Sequence, residues 1–483
     1  MVSHRKTRCL LCVTAAGLLC IGFPVLAQSG AGANLPDAPA ARLLALNAPP
    51  EAGSTVPTQA SQAPAVGQTS SSANPHPRLT RDDAEKMAIK SNPQVSVSHL
   101  LALAQHQVVR EARSANLPTA TASLTAMDAE NASRISAGSL TASRLFEHAG
   151  AGANLTQLIT DFGRTRNLVA YSKLQEKAQS ASALATEEDI IIATDQAFYN
   201  ALQAQALLQV AEQNVTTRQT TDTQVSEMTK NKLRSILDLS FADVNLSQAK
   251  LLLLDAQNNA DSTMAALDAV LGLDHQVIYD LVDDSAASQP PPPDAEQLIQ
   301  LGLQQRPDLQ ALNFDQQAAI KYSHAQRDQL FPTISAAGTV GSVPIRPDQY
   351  FTSNWWGAVG VNVNVPVFNG FLFTAEAKEA TIRARATAEQ SRNLRDGIVR
   401  DVRTAWLAAN TAYQRVTVSA QLLEEANLAL KLAETRYKMG LSSIVELSQA
   451  QYQQTDAAIG NTDAEYQYRL ALATLNYQIG TTP

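Results

Sequence analysis

Cysteine is nearly absent from this chain of 483 residues: its three copies, Cys9, Cys12 and Cys20, all lie within the first 27 residues. Basic residues precede an apolar run there that ends at Ala27, which is the layout of a secretory signal peptide. We therefore expect residues 1–27 to be removed. The mature chain would then carry no disulfide, no thiolate metal site and no cysteine nucleophile.

Acylation at Cys20 is the alternative reading of this segment. Cleavage before Cys20 would leave the apolar residues 21–26 on the mature chain, so cleavage after Ala27 is favoured. Either way, the destination is the periplasm or the outer membrane.

Aromatic residues make up only 5% of the chain and charged residues only 17%, whereas an enzyme of this length usually has a richer aromatic core. Acidic residues exceed basic ones, for a formal net charge of −8, which argues against a nucleic-acid partner. No apolar run of about 18 residues follows the first segment, so we expect no membrane-spanning helix.

Common catalytic signatures are also missing. The sequence contains no phosphate loop, no His-Glu-x-x-His and no Gly-x-Ser-x-Gly. His99 and His106 could share a helix face, but two histidines without a third ligand are more often structural than metal-binding. We expect no catalytic residue, no metal and no cofactor.

Two stretches lack apolar periodicity. Residues 28–78 hold eight of the 21 prolines and are rich in alanine, which predicts a flexible leader. Residues 283–293 include four consecutive prolines and predict a stiff connector.

The segments that these stretches separate, residues 79–282 and 294–483, are similar in sequence. An offset of 214 aligns Asn92-Pro93 with Arg306-Pro307, and an offset of 208 then holds from about Leu155 to Gly272. Such self-similarity predicts two copies of one structural repeat. Each copy reads as helix, two strands, long helix, helix.

The predicted strands cover about residues 117–127 and 150–160 in the first repeat, and about 331–341 and 355–368 in the second. Their apolar and polar residues alternate, most clearly from Val359 to Val367. Strands of this length suit a tilted crossing of a membrane. An open sheet in lipid leaves backbone groups unpaired, so membrane-spanning strands would require an oligomer. A soluble hairpin sheet with one wet face is the plainer alternative.

Aromatic residues cluster at the ends of the second strand pair, as in the girdles of membrane barrels. They are Tyr350, Phe351, Trp355 and Trp356 at one end, and Phe368, Phe371 and Phe373 at the other.

Two segments without proline, residues 162–231 and 370–439, predict very long helices. A continuous helix of that length would extend roughly 100 Å. Val416, Leu423, Leu430 and Tyr437 are spaced by seven, which is typical of a coiled coil.

Motifs in both repeats resemble those of the TolC-like outer-membrane efflux proteins. They are Tyr437-Lys438-Met439-Gly440-Leu441, followed by Ser442 to Leu447; Gln304-Gln305-Arg306-Pro307-Asp308-Leu309; Asp161-Phe162-Gly163-Arg164; and Val365-Pro366-Val367-Phe368-Asn369-Gly370. The resemblance covers about residues 79–480. It implies a mainly α fold with transmembrane β: a homotrimer with one 12-stranded barrel in outer-membrane lipid above a long α-helical barrel.

The same resemblance implies a passive exit duct of a tripartite efflux or type I secretion system. Its partners would be a periplasmic adaptor and, through it, an inner-membrane pump. The alternative that we keep is a soluble periplasmic coiled-coil scaffold.

By this resemblance, the turns after the long helices form the periplasmic tip. The implied tip and gate residues are Lys232, Asp238, Tyr437, Gly440, Ser442, Glu446 and Gln449. Asp238 and Glu446 match family acids that face the constriction, where six carboxylates of a trimer would favour cations. Alternatively, both are solvated first-turn acids that complement a helix N-terminus.

Three of these positions depart from the family pattern. Lys232 stands where the family usually has glycine, and the lysine side chain disfavours a left-handed backbone conformation there. Ser442 and Gln449 replace an arginine and an acid found in some members.

Overall fold

The structure is a computed structural model that describes residues 77–128, 148–275, 277, 279–283, 290–342 and 354–481. The expected signal peptide, nearly all of the expected leader, Tyr350 and Phe351 lie outside the described residues.

These described residues form, in chain order, β1 (Arg78–Leu79), α1 (Arg81–Ser91), α2 (Pro93–Ser114), β2 (Thr119–Met127), β3 (His148–Thr160), α3 (Arg164–Lys230), α4 (Ile236–Val270), β4 (Asp280–Leu281), α5 (Ala295–Gln305), α6 (Pro307–Asp328), β5 (Thr333–Ser342), β6 (Trp356–Asn364), α7 (Leu372–Lys438) and α8 (Ile444–Ile479). Both long helices, α3 and α7, have 67 residues.

Each half opens with two helices rather than the single helix expected. The break falls at Asn92-Pro93 and at Arg306-Pro307. Proline lacks the backbone N–H of a helix interior and pushes the preceding residue out of the α region, so a new helix begins there. The Asn92 side chain caps α2 by accepting a hydrogen bond of 2.9 Å from the Gln94 N–H.

Four long strands form one antiparallel sheet in the order β2-β3-β5-β6. The register brings like residues to the same face. On β6, Val359, Val361 and Val363 pair with Gly338, Ala336 and Ile334 of β5. Gly338 in turn pairs with Leu155 of β3, and Leu155 pairs with Ala120 of β2. On the other face, Thr119 lies beside Thr156 and Thr333 beside Asn364. One face is therefore apolar and the other polar.

The last strand is shorter than expected. β6 ends at Asn364, although the strand was predicted to continue to about residue 368. Pro366 cannot donate to a strand ladder, so the valine alternation continues to Val367 without pairing.

Helices next to the sheet pack in the order α2, α3, α6, α7, which matches the order of the strands. Beyond the far ends of α2 and α6 the order becomes α4, α3, α8, α7. The outer faces of α2 and α4 on one side, and of α7 on the other, are thus left without a neighbouring helix in the described part of the chain. No described helix combines the length and hydropathy needed to cross a membrane.

Three apolar clusters stabilise the helices. The first joins α1, α3 and α4 around Phe198, Leu267 and Leu271, and the second joins α5, α7 and α8 around Ile299, Val402 and Leu475. The third lies near the far turns and contains Val225, Ala433, Tyr437, Ile444 and Leu447. Many contact positions are alanine, which allows the helix backbones to approach closely.

Candidate functional site

Two turns at the end of the long helices form the region that we call the tip: residues 231–235 between α3 and α4, and residues 439–443 between α7 and α8. In the first turn the N–H of Leu233 bonds the Met228 carbonyl at 2.8 Å, and in the second the N–H of Leu441 bonds the Arg436 carbonyl at 2.8 Å. Both helices therefore end in a Schellman motif.

Lys232 adopts the left-handed backbone conformation that its side chain was expected to disfavour. Its φ is +61°, close to the +74° of Gly440, which occupies the same place in the second turn. The N–H of each residue bonds a carbonyl of its own helix, at 2.9 and 3.0 Å, to Thr229 and Tyr437. The hydrogen bonds of the motif hold Lys232 in this conformation, at a cost of roughly 1 kcal/mol relative to glycine.

Asp238 and Glu446 both lie in the first turn of a helix but make different contacts. Asp238 forms a capping box with Ser235: its N–H donates to Ser235 Oγ at 3.1 Å, and its carboxylate accepts from the Ser235 N–H at 3.3 Å. The N–H of Glu446 likewise donates to Ser443 Oγ at 3.3 Å, but the Glu446 carboxylate accepts from Arg436 Nε at 2.9 Å. The Asp238 carboxylate thus bonds the end of its own helix, whereas the Glu446 carboxylate bonds an arginine in the last turn of α7.

Tyr437 is the most enclosed residue of the tip set, with a side chain only 3% exposed. Arg234, from the other turn, covers it: the guanidinium carbon lies 4.3 Å from the ring centroid, and Nη2 donates to the Tyr437 carbonyl at 3.0 Å. Burial raises the pKa of Tyr437, and the nearby Arg234 opposes that shift. We call this contact the tip clamp, because it ties the two turns together.

Ser442 and Gln449 take no part in the tip clamp. Ser442 Oγ is buried and has no hydrogen-bond partner among the described residues, and Gln449 is exposed. Sequence reasoning missed both Arg234 and Arg436. Arg234 lies 208 positions before Ser442, the position where some family members have an arginine. The repeat offset therefore indicated that the first turn of this chain supplies that arginine. Arg436 carried no comparable signal.

A polar seam joins α3 to α8 above the tip. Arg218 is 7% exposed and donates to Asn214 at 3.2 Å and to Gln451, which in turn donates to Thr221 at 3.0 Å. Burial lowers the pKa of Arg218. The two halves of the chain therefore meet here through hydrogen bonds, whereas nearer the tip they also meet through the apolar cluster of Val225, Ala433 and Tyr437.

A cavity of about 220 Å³ opens beside the tip clamp, between α3 and α7. Four threonines of α3 line one wall, and Glu434 and Lys438 line the other. This polar groove is wide enough for side chains of a second protein.

At the opposite end of the molecule, the expected aromatic girdle is only partly within the described residues. Trp355 immediately precedes β6 and is 65% exposed, and Trp356 is the first residue of β6 and is 47% exposed. Phe368 and Phe371 pack edge to face with ring centroids 5.7 Å apart. Phe162 and Phe331, which were not predicted as girdle residues, pair at 6.1 Å where β3 ends and β5 begins.

The sequence profile of a family described as outer membrane efflux protein matches residues 85–273 and 298–481. The outer membrane protein TolC of Vibrio cholerae is 25% identical over 359 residues, covering 68% of this chain and 76% of that protein. Among solved structures, the outer-membrane channel OprN superposes with a TM-score of 0.73 at 18% identity, covering 83% of this chain and 90% of that one. A structure of CusC, described in terms of transmembrane channel formation, gives 0.73 at 17% identity over 86% and 96%.

Proposed function

The chain belongs to the outer membrane efflux protein family, and we propose that it is the outer-membrane exit duct of a tripartite efflux or type I secretion system. It is located in the outer membrane, with its helices extending into the periplasm. The family match does not support the soluble scaffold that the sequence left open. We regard the duct as a passive conduit rather than an enzyme.

The observation that carries this proposal is a sheet with two chemically different faces and two free edges. The apolar face suits lipid, and the polar face, with Thr119, Asn154 and Thr333, suits a water-filled lumen. Edge strands β2 and β6 have no partner on their outer side among the described residues. In lipid those backbone groups must be paired, so the sheet must close with further copies of the chain.

We propose that three copies close one barrel of 12 strands, as in the family, with the two repeats of each chain contributing four strands. Because strands and helices share one lateral order, β6 and α7 of one copy would meet β2, α2 and α4 of the next. Apolar side chains on these faces support the arrangement. On α4 they include Leu237 and Leu251, and on α7 Leu428 and Leu432, all more than half exposed.

Charges beside these apolar faces are complementary. α4 presents Asp243 and Lys250, and α7 presents Lys431 and Glu424, all exposed in the single chain. The axial position of each charge can be counted from the contact between Arg234 and Tyr437, at 1.5 Å per residue. On this scale Asp243 lies about 14 Å along α4, and Lys431 lies about 9 Å along α7. Lys250 and Glu424 lie about 24 and 20 Å along them. Each pair is offset by less than one helical turn.

Asp243 has a further reason to attract a cation. It lies beside Asp222 of α3, whose pKa is raised by burial and by the hydrogen-bonded contact with Asp243. Lys431 of a neighbouring copy would offset this local negative charge.

The tip clamp supports a closed resting state, because it joins the turns of both halves. We propose that Asp238 and Glu446 of three copies then surround the axis and favour cations, while Lys232, Gly440, Ser442 and Gln449 shape the opening. The exposed Leu233, Ile236 and Leu441, together with the polar groove, would receive the periplasmic adaptor that links the duct to an inner-membrane pump.

Cysteine cross-linking tests the ring. The expected mature chain has no cysteine, so a double variant Asp243→Cys with Lys431→Cys introduces the only pair. We expect oxidation in detergent to give covalent dimers and trimers. The control, Asp255→Cys with Lys431→Cys, separates the thiols by about 20 Å along the helices and should stay monomeric.

Native mass of the same preparations separates two kinds of failure. A trimer that cross-links in neither variant, or equally in both, would refute the proposed pairing of α4 with α7. A stable monomer that is soluble without detergent would refute the duct itself.

A further inference from the structure

Two carboxyl groups are buried together far from both the tip and the sheet. Glu85 of α1 is 6% exposed and Asp195 of α3 is 5% exposed. The two carboxyl groups lie close enough to share one proton, and each has a buried oxygen, Glu85 Oε1 and Asp195 Oδ1, that accepts no hydrogen bond from the described residues. They lie 110 positions apart in the sequence, so the contact joins α1 to the long helix.

The surroundings of the pair are apolar. Ala84 and Ala88 of α1 are fully buried on either side of Glu85, and Phe198 and Leu202 of α3 belong to the same cluster. Charge is costly in such a place unless it is fully paired.

Among the described residues, Arg81 is the one cation in direct contact with the pair. Arg81 Nε lies 3.2 Å from Glu85 Oε1, but Arg81 Nη2 also donates to Asp82 at 3.1 Å. Asp195 Oδ1 is buried and accepts no hydrogen bond from the described residues unless Glu85 carries a proton. The titratable and charged groups facing the pair are Arg81 and Asp82 on α1, Tyr199 on α3, and Arg469 on α8, which faces Tyr199.

Two buried carboxylates with a shared guanidinium favour a state in which one of them keeps its proton. Burial, together with the neighbouring Asp195, raises the pKa of Glu85 to about 7. Burial also raises the pKa of Asp195, whereas its hydrogen bond from Glu85 opposes the shift. Glu85 is thus the proton donor and Asp195 the acceptor.

We infer that Glu85 and Asp195 form a proton-dependent latch that holds α1 against α3. With the proton in place, Glu85 donates to Asp195 and the pair carries one negative charge beside Arg81. When the proton leaves to bulk water, two adjacent carboxylates repel each other in an apolar site. The contact between α1 and α3 then weakens, and β1, which precedes α1 and pairs with β4, loses its support.

The direction of the pH effect follows from the folded and unfolded proton affinities. An unfolded glutamate has a pKa of about 4.5, below that of the latch. The latch therefore contributes its full stability below about pH 4.5, and this stability is lost as the pH rises through about 7. Above that value the local opening equilibrium should rise by up to about tenfold per pH unit, since one proton is released.

Hydrogen exchange of α1 amides in the detergent-solubilised full chain tests the latch between pH 6 and pH 8.5. After correction for the intrinsic rates, we expect the opening equilibrium of α1 to rise at least tenfold in the unaltered protein. Glu85→Gln mimics the protonated acid and keeps a donor for Asp195, so its opening equilibrium should stay constant.

Glu296→Gln is the matched control. It removes an exposed carboxylate from α5, the helix that corresponds to α1, and should leave the pH dependence of α1 unchanged. Infrared spectra report the protonation of the carboxyl group directly, which distinguishes the latch from a purely structural role of Glu85. A protonated-carboxyl band should disappear with rising pH in the unaltered protein and be absent from Glu85→Gln. An unaltered protein whose α1 exchange has no pH dependence, or a Glu85→Gln variant that keeps it, would overturn the inference.

Discussion

The two halves of the chain use similar backbones and different side chains. Helices α1 and α5 both have 11 residues, α2 and α6 both have 22, and α3 and α7 both have 67. Under the offset of 214, Glu85 in the first half corresponds to Ile299 in the second, and both are buried. The backbone thus tolerates either a charged pair or a hydrocarbon at one place, which indicates that the polar version serves something other than packing.

The tip repeats this contrast on a smaller scale. Both turns end in the same hydrogen-bond motif, yet Asp238 caps its own helix whereas Glu446 pairs with Arg436. Arg234 of the first turn covers Tyr437 of the second, and the residue corresponding to Arg234 is Ser442. The halves are therefore similar in backbone and complementary in charge, which suits a device whose two parts must fit each other.

Exchanging the buried residues between the halves should give the largest effect. Ile299→Glu places a carboxyl in the apolar cluster with Val402 and Leu475, where the nearby Arg403 is already paired with Glu296. We expect a loss of about 3 kcal/mol in the free energy of unfolding, measured as a lower thermal midpoint at neutral pH.

The reverse exchange is the control for that prediction. Glu85→Ile removes a buried carboxyl but takes the donor from Asp195, which keeps only the charge of Arg81 nearby, so we expect a smaller loss of about 1 kcal/mol. Equal losses for Ile299→Glu and Glu85→Ile would show that the two sites are not distinguished by charge.

Removing the tip clamp should have the next largest effect. Arg234→Ala deletes the cation over the Tyr437 ring and the hydrogen bond to its carbonyl, together about 1 to 2 kcal/mol of closed-state stability. The open fraction in planar-bilayer recordings should then rise by roughly 5- to 30-fold. Lys230→Ala removes an exposed cation near the same turn but outside the clamp, so it should record like the unaltered protein; a matching rise in that variant would argue against the clamp.

Patterns along the sequence predicted the regular elements well, because valine alternation and seven-residue spacing depend on local geometry. The likeness to outer-membrane channels, expected from the motifs, is confirmed by the family match and the structural comparisons. The break at Asn92-Pro93 was visible in the sequence but served only to align the halves, so the second opening helix was missed. Proline chemistry alone would have identified it.

Contacts between distant residues could not be predicted in the same way. Nothing near Glu85 in the sequence indicates Asp195, and nothing near Tyr437 indicates Arg234, since both contacts arise from helix packing. Lys232 illustrates a different limit. Its side chain disfavours a positive φ, but two hydrogen bonds of the turn outweigh that local preference.

The smallest expected effect concerns the two first-turn acids, and it distinguishes their structural from their electrostatic role. Asp238 and Glu446 are already engaged, by Ser235 and Arg436, so their charges are partly offset where they lie. Replacing both by Ala should reduce the preference of the open duct for cations by only about two- to threefold, measured as the reversal potential under a salt gradient.

Asp238→Asn with Glu446→Gln is the control that separates charge from capping. The amides keep hydrogen-bonding oxygens at both helix ends but carry no charge, so selectivity should fall as far as with Ala while thermal stability stays closer to that of the unaltered protein. Permeability ratios that are equal before and after both double substitutions would mean that these acids serve only their local contacts with Ser235 and Arg436. The selectivity of the duct would then have to arise from other residues along the lumen.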